Sequence, residues 1–255
     1  MTGHGKKIRA VFFDAGGTLM APNPSVGAIY AAVAERFGCR AAPAEFERHL
    51  FRLFGEYGVT DRAKGRGYAT SDEIEREMWR YFSRRLYDEM EAFRRAGVDF
   101  EAWYAVLYDT FAGESAWALF PDALPVLDAL RGKGIRTGII SNWDSRLPGI
   151  CRGLEIEPRV EFVLASGPFG VRKPGGAIFG EALRRADVTP DEALHVGDSF
   201  AEDVMGAEAS GIRGVLLDRF GHDRQGCPTV RGLMEVMRFV DGTCSSTPLR
   251  YNPPS

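Results

Sequence analysis

A chain of 255 residues, 45% apolar and 26% charged, can bury a sizeable core and has the make-up of an ordinary globular protein. Its formal net charge of −3 lacks the basic excess that nucleic-acid binding favours, so no nucleic-acid partner is expected. No apolar run reaches the ~18 residues of a membrane helix, so no membrane partner is expected either. The scattered cysteines Cys39, Cys151, Cys227 and Cys244 form no C-x-x-C pair, which argues against zinc and for a reduced, cytoplasmic setting. Lys6-Lys7 precedes no long apolar stretch, and no secretory signal is read there.

The apolar run Ile8 to Phe13, broken only by Arg9, predicts a buried strand that delivers Asp14 to its carboxyl end. Gly16, Gly17 and Thr18 then predict a turn. After Pro22-Asn23-Pro24 the chain is helical in character from about Ser25 to Phe111. Ile29, Ala32, Val33 and Phe37 share helical spacing, as do Phe46, Leu50, Leu53 and Phe54. A third set is Ile74, Met78, Tyr81 and Phe82, with Ser71 as candidate N-cap, and a fourth runs from Phe100 to Phe111. Gly55-Glu56-Tyr57-Gly58 and Lys64-Gly65-Arg66-Gly67 read as loops, and no strand pattern interrupts this block.

From Pro121 the rhythm changes. A helix over Ala123 to Arg131 leads to a strand over Ile135 to Ile140 that ends in Ser141-Asn142-Trp143-Asp144. Further strands are predicted at Phe162 to Ala165, Ala193 to Val196 and, as the last, Gly214 to Leu217. Helices are predicted over Ala177 to Arg185, Asp203 to Ser210 and Val230 to Phe239. The class is therefore α/β: a Rossmann-like, doubly wound parallel sheet with an inserted all-helical segment. Residues 1–20 and 116–220 would form the split core domain and 21–115 the helical insert. Residues 221–255 would be an extension with one short helix and a loose tail. Neither a monomer nor a homodimer is preferred.

Every polar cluster in this layout falls at a strand's carboxyl end, where such sheets bind ligands. Asp14 reads either as a turn-forming cap or as a carboxylate nucleophile. Ser141 and Asn142 read either as a helix cap or as groups that hold the oxygens of a transferring group. Lys173, in Gly170-Val171-Arg172-Lys173-Pro174, is either a solvated loop lysine or the partner of an acidic centre. Asp198 and Asp203 either decorate a helix start or, with Asp14, offer an oxygen shell to a hard cation. Trp143 and Asp144, just past Ser141, either shape the pocket or support it from behind.

Singly these signals are weak, but their order is specific. Asp-x-x-Gly-Thr after the first strand, a later Ser-Asn, then Lys-Pro and Gly-Asp-x-x-x-x-Asp resembles the haloacid dehalogenase superfamily across Ile8 to Leu217. Ser141 to Leu147 and His195 to Ser199 look most like the branch called haloacid-dehalogenase-like hydrolase domain-containing protein 3. The resemblance implies a helical cap and a hydrolase acting on a small phosphorylated metabolite. It implies that Asp14 attacks phosphorus and forms an aspartyl-phosphate. Gly17, Ser141, Asn142 and Lys173 would bind the transferring group, and Lys173 would neutralise its charge. Mg²⁺ would be held by Asp14, the Gly16 carbonyl, Asp198 and Asp203, the last directly or through water.

One position departs from the pattern. Phosphatases of the superfamily carry a second Asp two residues after the nucleophile as acid and base, and this chain has Gly16 there. General acid–base help is worth about 10²–10⁴-fold. Three readings stay open. The chain is a slow phosphatase or one restricted to good leaving groups such as acyl phosphates. It is a phosphonate C–P hydrolase, for which Lys64 is the sole cap lysine able to form an imine. Or it is a metal-binding regulatory protein without turnover. A dehalogenase, which in this superfamily carries Tyr at that position and lacks the Gly-Asp-x-x-x-x-Asp pattern, is disfavoured.

Overall fold

The computed structural model describes residues 7–57, 67–221 and 226–242. Strand β1 (Ala10–Phe13) is fully buried and is followed by a short strand β2 (Met20–Pro22). Helices α1 (Val26–Glu35), α2 (Pro43–Tyr57), α3 (Asp72–Glu89), α4 (Glu91–Ala96) and α5 (Phe100–Thr110) come next. Then follow β3 (Trp117–Leu119), α6 (Ala123–Gly132), β4 (Arg136–Ser141) and α7 (Leu147–Gly153). The chain continues through β5 (Phe162–Ala165), α8 (Ser166–Phe169), α9 (Gly176–Ala186) and β6 (Ala193–Gly197). After a π-helical turn (Phe200–Val204) come α10 (Met205–Ala209), β7 (Arg213–Leu217), β8 (Thr229–Val230) and α11 (Met237–Val240).

Six strands form one parallel sheet in the order β5-β4-β1-β6-β7-β8. Strand β1 lies between β4 and β6, and the Asp14 amide extends the ladder to the Val196 carbonyl at 2.9 Å. The connections leave β1 towards β4 and return to β6 on its other side, so β1 borders the switch point where α/β sheets bind ligands. Alternation along β1 feeds both faces: Val11 and Phe13 join one apolar cluster, Ala10 and Phe12 the other. A third cluster belongs to the helical block, built on Tyr30, Phe46, Phe82, Phe93 and Trp103. Several of its rings meet edge to face, as Phe93 and Trp103 do at 4.7 Å. Side-chain caps start three of its helices: Ser25 accepts from Ala28 N, Ser71 from Ile74 N and Asp99 from Ala102 N.

Several local expectations change. Gly55 to Tyr57 is not a loop but the end of α2, a last turn that follows the apolar face built by Leu50, Leu53 and Phe54. That glycine costs about 1 kcal/mol in a helix, less than the packing it accompanies returns. Helices α4 and α7 were not expected; α4 is only 6 residues long, and α7 contains Pro148 and Gly149. Strands β2 and β3 pair antiparallel at the two chain crossings between sheet and helical block, and at 3 residues each they are too short to show a period. The strand over Gly214 to Leu217 is not the last. Val230 pairs in β8 against β7, and the helical turns begin only at Leu233. Val230, Leu233, Val236 and Phe239 are buried against the sheet, so this part of the extension completes the core. The segment from Lys64 to Arg66 and the tail beyond 242 lie outside the described residues, so the imine candidate Lys64 has no structural account.

The helical block is joined to the sheet along a seam. Ala69 bridges to Val171, Thr70 N donates to Gly170 O, and Arg172 N donates to Tyr68 O. Nearby, Asp72 accepts from Ser145 N. Glu75 on α3 accepts from the Ser166 hydroxyl at 3.3 Å. Farther along, Tyr108 on α5 donates to Asp144 at 2.7 Å, and Arg146 holds the same carboxylate. Among the described residues no helix is long and apolar enough to cross a membrane.

Candidate active site

Asp14, Ser141, Lys173, Asp198 and Asp203 converge at the carboxyl end of β1, β4 and β6. Asp14 is almost fully buried, and its Oδ1 accepts from Ser141 Oγ at 2.9 Å and Lys173 Nζ at 2.7 Å. Lys173 Nζ also donates to Asp203 Oδ1 at 2.5 Å. One ammonium therefore ties two carboxylates together. Burial works against the charge on Lys173, but Asp14 and Asp203 outweigh it and raise its pKa, so it stays protonated. Burial raises the Asp14 pKa against the opposing pull of Lys173. Asp203 is lowered: burial opposes its charge, but Lys173 and His195 more than compensate.

Oxygens of Asp14, Asp198 and Asp203 all lie within 4.8 Å of one another. Asp198 is open to solvent on one side. The protein around it, then the Asp14 and Asp203 charges, nonetheless push its carboxyl up to about 7. Three carboxylates with Lys173 as their one hydrogen-bonded cation among the described residues leave an excess of negative charge. That oxygen-only donor set fits a hard divalent cation. Asp203 is already engaged, however: Oδ1 takes Lys173 and His195, and Oδ2 takes the Ser199 amide. Its engagement favours a role behind the cation over direct ligation.

Two glycines make room for this corner. Gly17 has φ +77, and a Cβ there would stand 2.3 Å from Asp198 Oδ2. A Cβ at Gly197 would stand 2.1 Å from Asp203 Cγ. Asp203 reaches back because its segment is not an ordinary helix start. Asp203 N and Val204 N both donate to Ser199 O, which opens the wide π turn where a helix from Asp203 was expected.

Asn142 sits differently from the expectation that it faces a substrate. Its Oδ1 accepts from Lys173 N, and its amide donates to Lys173 O and Glu202 Oε2, so the side chain holds the lysine's backbone. Gly16 meets Trp143: a Cβ on it would lie 3.3 Å from Trp143 Cζ3. Trp143 in turn packs on Trp117 with centroids 4.8 Å apart. The Gly16 backbone is not left-handed, so an ordinary side chain is sterically opposed there only by that ring. Asp144 lies outside the corner and clasps Tyr108 and Arg146.

Two neighbours carry weight that sequence reasoning did not assign. His195 is fully buried on β6, and burial lowers its pKa, so the neutral ring donates from Nε2 to Asp203 Oδ1 at 2.9 Å. Its signal was a lone polar residue inside an apolar strand. Glu202 holds Asn142, and burial raises its pKa against Arg172 and Lys173. A surface depression bordered by Arg9, Asp187 and Glu192 lies at the amino end of the sheet, away from this chemistry.

Fold and site together define a Rossmann-like α/β hydrolase with a carboxylate–lysine corner at its switch point. The chain belongs to the haloacid dehalogenase-like hydrolase family, whose model matches residues 8–211. It is 30% identical over 212 residues to haloacid dehalogenase-like hydrolase domain-containing protein 3 of Danio rerio, covering 83% of this chain and 86% of that one. It is 29% identical over 185 residues to a glyceraldehyde 3-phosphate phosphatase of Methanopyrus kandleri, covering 69% and 76%. The fold is similar to that of a HAD phosphatase from Thermococcus onnurineus, with TM-score 0.64, 23% identity and coverage of 92% and 99%.

Proposed function

We propose that this hydrolase is a Mg²⁺-dependent phosphatase of a small phosphorylated metabolite, working through an aspartyl-phosphate on Asp14. The observation that carries the reading is the shared ammonium: Lys173 touches both Asp14 and Asp203, whose oxygens lie within 4.8 Å of one on Asp198. The archaeal phosphatase relative supports the same reaction class. In this reading residues 1–20 and 116–220 carry the chemistry and 21–115 act as a cap.

An oxygen of Asp14 attacks phosphorus, and the ester oxygen leaves with the bonding electrons. Lys173 neutralises the charge that builds on the transferring oxygens, and the Ser141 hydroxyl, whose one proton goes to Asp14 Oδ1, orients the nucleophile. Asn142 and His195 are positioning residues: the first fixes the Lys173 backbone, the second fixes Asp203. Asp14, Asp198 and the Gly16 carbonyl would hold Mg²⁺, with Asp203 behind them; when bound, the cation offsets phosphate charge. Water then attacks the aspartyl-phosphate and frees Asp14. No side chain at Gly16 can protonate the leaving oxygen, and Trp143 makes that wall apolar. The reading therefore favours leaving groups that depart without a proton, acyl phosphates above alkyl phosphates.

The test is phosphate release from a panel of phosphomonoesters and acyl phosphates, with Mg²⁺ and with chelator. Release is expected with Mg²⁺ only, fastest for acyl phosphates. Asp14→Asn should lower it on the order of 10⁴-fold or more. Release that survives in this variant would remove Asp14 as nucleophile.

A further inference from the structure

Arg172 is a buried cation that meets Glu202 only at ion-pair distance and has no hydrogen-bonded oxygen among the described residues. It is 7% exposed, and its Nε has no hydrogen-bond partner. One terminal nitrogen approaches only the Met78 sulfur at 3.6 Å. The other lies 3.8 Å from Glu202 Oε1, too far for a hydrogen bond. A guanidinium carries five donors, and burying it without acceptors is costly. Glu202 offsets its charge, but the donors of the fork have no hydrogen-bonded oxygen among the described residues.

Its place says where such an oxygen comes from. Arg172 directly precedes Lys173, whose ammonium touches Asp14. Its head lies on the seam, between Met78 of the helical block and Glu202, the residue that holds Asn142. The backbone is pinned on both sides: Arg172 N donates to Tyr68 O, and Lys173 N donates to Asn142 Oδ1. The guanidinium is thus held at the site's edge before any ligand arrives, which lowers the entropy cost of binding. The nearby protein carboxylates are each held through one oxygen: Glu202 Oε2 accepts from Asn142, and Glu75 Oε1 accepts from Thr70 and Ser166, while Glu75 Oε2 is buried without a hydrogen bond.

We propose that Arg172 is a substrate-binding residue that recognises a carboxylate on the tail of the phosphorylated substrate. This rests on the phosphatase reading above. The planar fork matches a carboxylate through two parallel hydrogen bonds. A singly charged group also meets less repulsion from Glu202 and Glu75 than a second phosphate would. The substrate class is then a small phosphorylated carboxylic acid, its phosphate at Asp14 and its carboxylate at the seam.

The test compares 2-phosphoglycolate with the phosphate ester of glycolamide, in Mg²⁺, for the wild type, Arg172→Met and Arg172→Lys. Methionine keeps the apolar stem against Met78 and removes only the fork. The wild type should prefer the carboxylate ester about tenfold or more in kcat/KM. Arg172→Met should lose about ten- to a hundredfold on that ester, mainly in KM, and stay within about twofold on the amide. Equal losses on both esters would make Arg172 a packing residue and overturn the proposal, as would a wild type without preference. If Arg172→Met fails to fold, Arg172→Lys decides by the same selective loss. If the wild type hydrolyses neither of these alkyl esters, acyl-phosphate release decides the phosphatase reading separately, and equilibrium dialysis of the two esters decides the proposal. Tighter binding of the carboxylate ester, lost in Arg172→Met, upholds the proposal; equal or no binding overturns it.

Discussion

The corner around Asp14 and the outer face of the helical block use the same residue types to opposite ends. In the corner Asp14, Lys173, His195 and Asp203 are buried and linked by contacts of 2.5 to 2.9 Å. On the helices, Arg84–Asp88 and Arg95–Glu91 pair one turn apart with both partners open to water. A buried charge gives up its hydration and must recover it from neighbours, so each partner there is indispensable to the other. An exposed pair keeps most of its hydration and gains little from its partner. The contrast explains why charge density alone does not mark the site, since among the described residues the helical block carries more ion pairs than the corner.

The sharpest way to break this comparison is Lys173→Met. It leaves Asp14 and Asp203 buried without their shared cation and should cost about 3–5 kcal/mol of stability in urea unfolding. Hydrolysis should be lost as well. Adding Asp203→Asn should restore part of that stability without restoring activity. A stable Lys173→Met protein would mean that the corner tolerates its charges unaided.

Gly16→Asp sharpens the same comparison by adding a carboxylate at the corner's apolar wall. Turnover of an alkyl phosphate should rise about 10²-fold, the low end for general acid–base help, because Trp143 must yield before the new side chain fits. Gly16→Asp with Trp143→Phe should gain more, since the smaller ring vacates the contact at Cζ3. If neither variant gains, proton transfer to the leaving group does not limit the reaction. Initial rates on one alkyl and one acyl phosphate distinguish the cases, because only the alkyl ester needs the acid.

What could be read in the sequence follows the length of each pattern. Strand β1 was legible because an apolar run stops at one carboxylate, and the sheet because apolar runs alternate with helical periods. The long helices were legible from spacing, and Ser71 from its place before α3. Elements of 2 or 3 residues such as β2, β3 and β8 have no period to read. At the site, sequence order singled out residues that meet in space, while their partners depended on the path between them. Nothing local indicates that Asn142 turns towards the Lys173 backbone, or that a π turn aims Asp203 at His195. The ring above Gly16 comes from another strand end, so Gly16 showed an absence and only the structure shows what fills it.

Tyr108→Phe probes the seam between the two regions. Asp144 keeps its bonds from Arg146 and loses one hydroxyl, so urea unfolding should show a loss of about 1–2 kcal/mol. That places the seam between the corner and the exposed helical face.

Arg95→Ala sets the other limit. Arg95 and Glu91 pair across one turn of α4, both well exposed, and nothing buried rests on either charge. Water replaces the lost partner at once, so the urea midpoint at physiological salt should not move measurably, and phosphate release should be unchanged. A midpoint shift as large as that of Tyr108→Phe would mean that the helical face works as a coupled charge network. Burial would then not be what separates the corner from the rest of the molecule. Repeating the measurement at high salt tells these apart, because screening weakens an exposed network while leaving the Asp14–Lys173–Asp203 contacts largely intact.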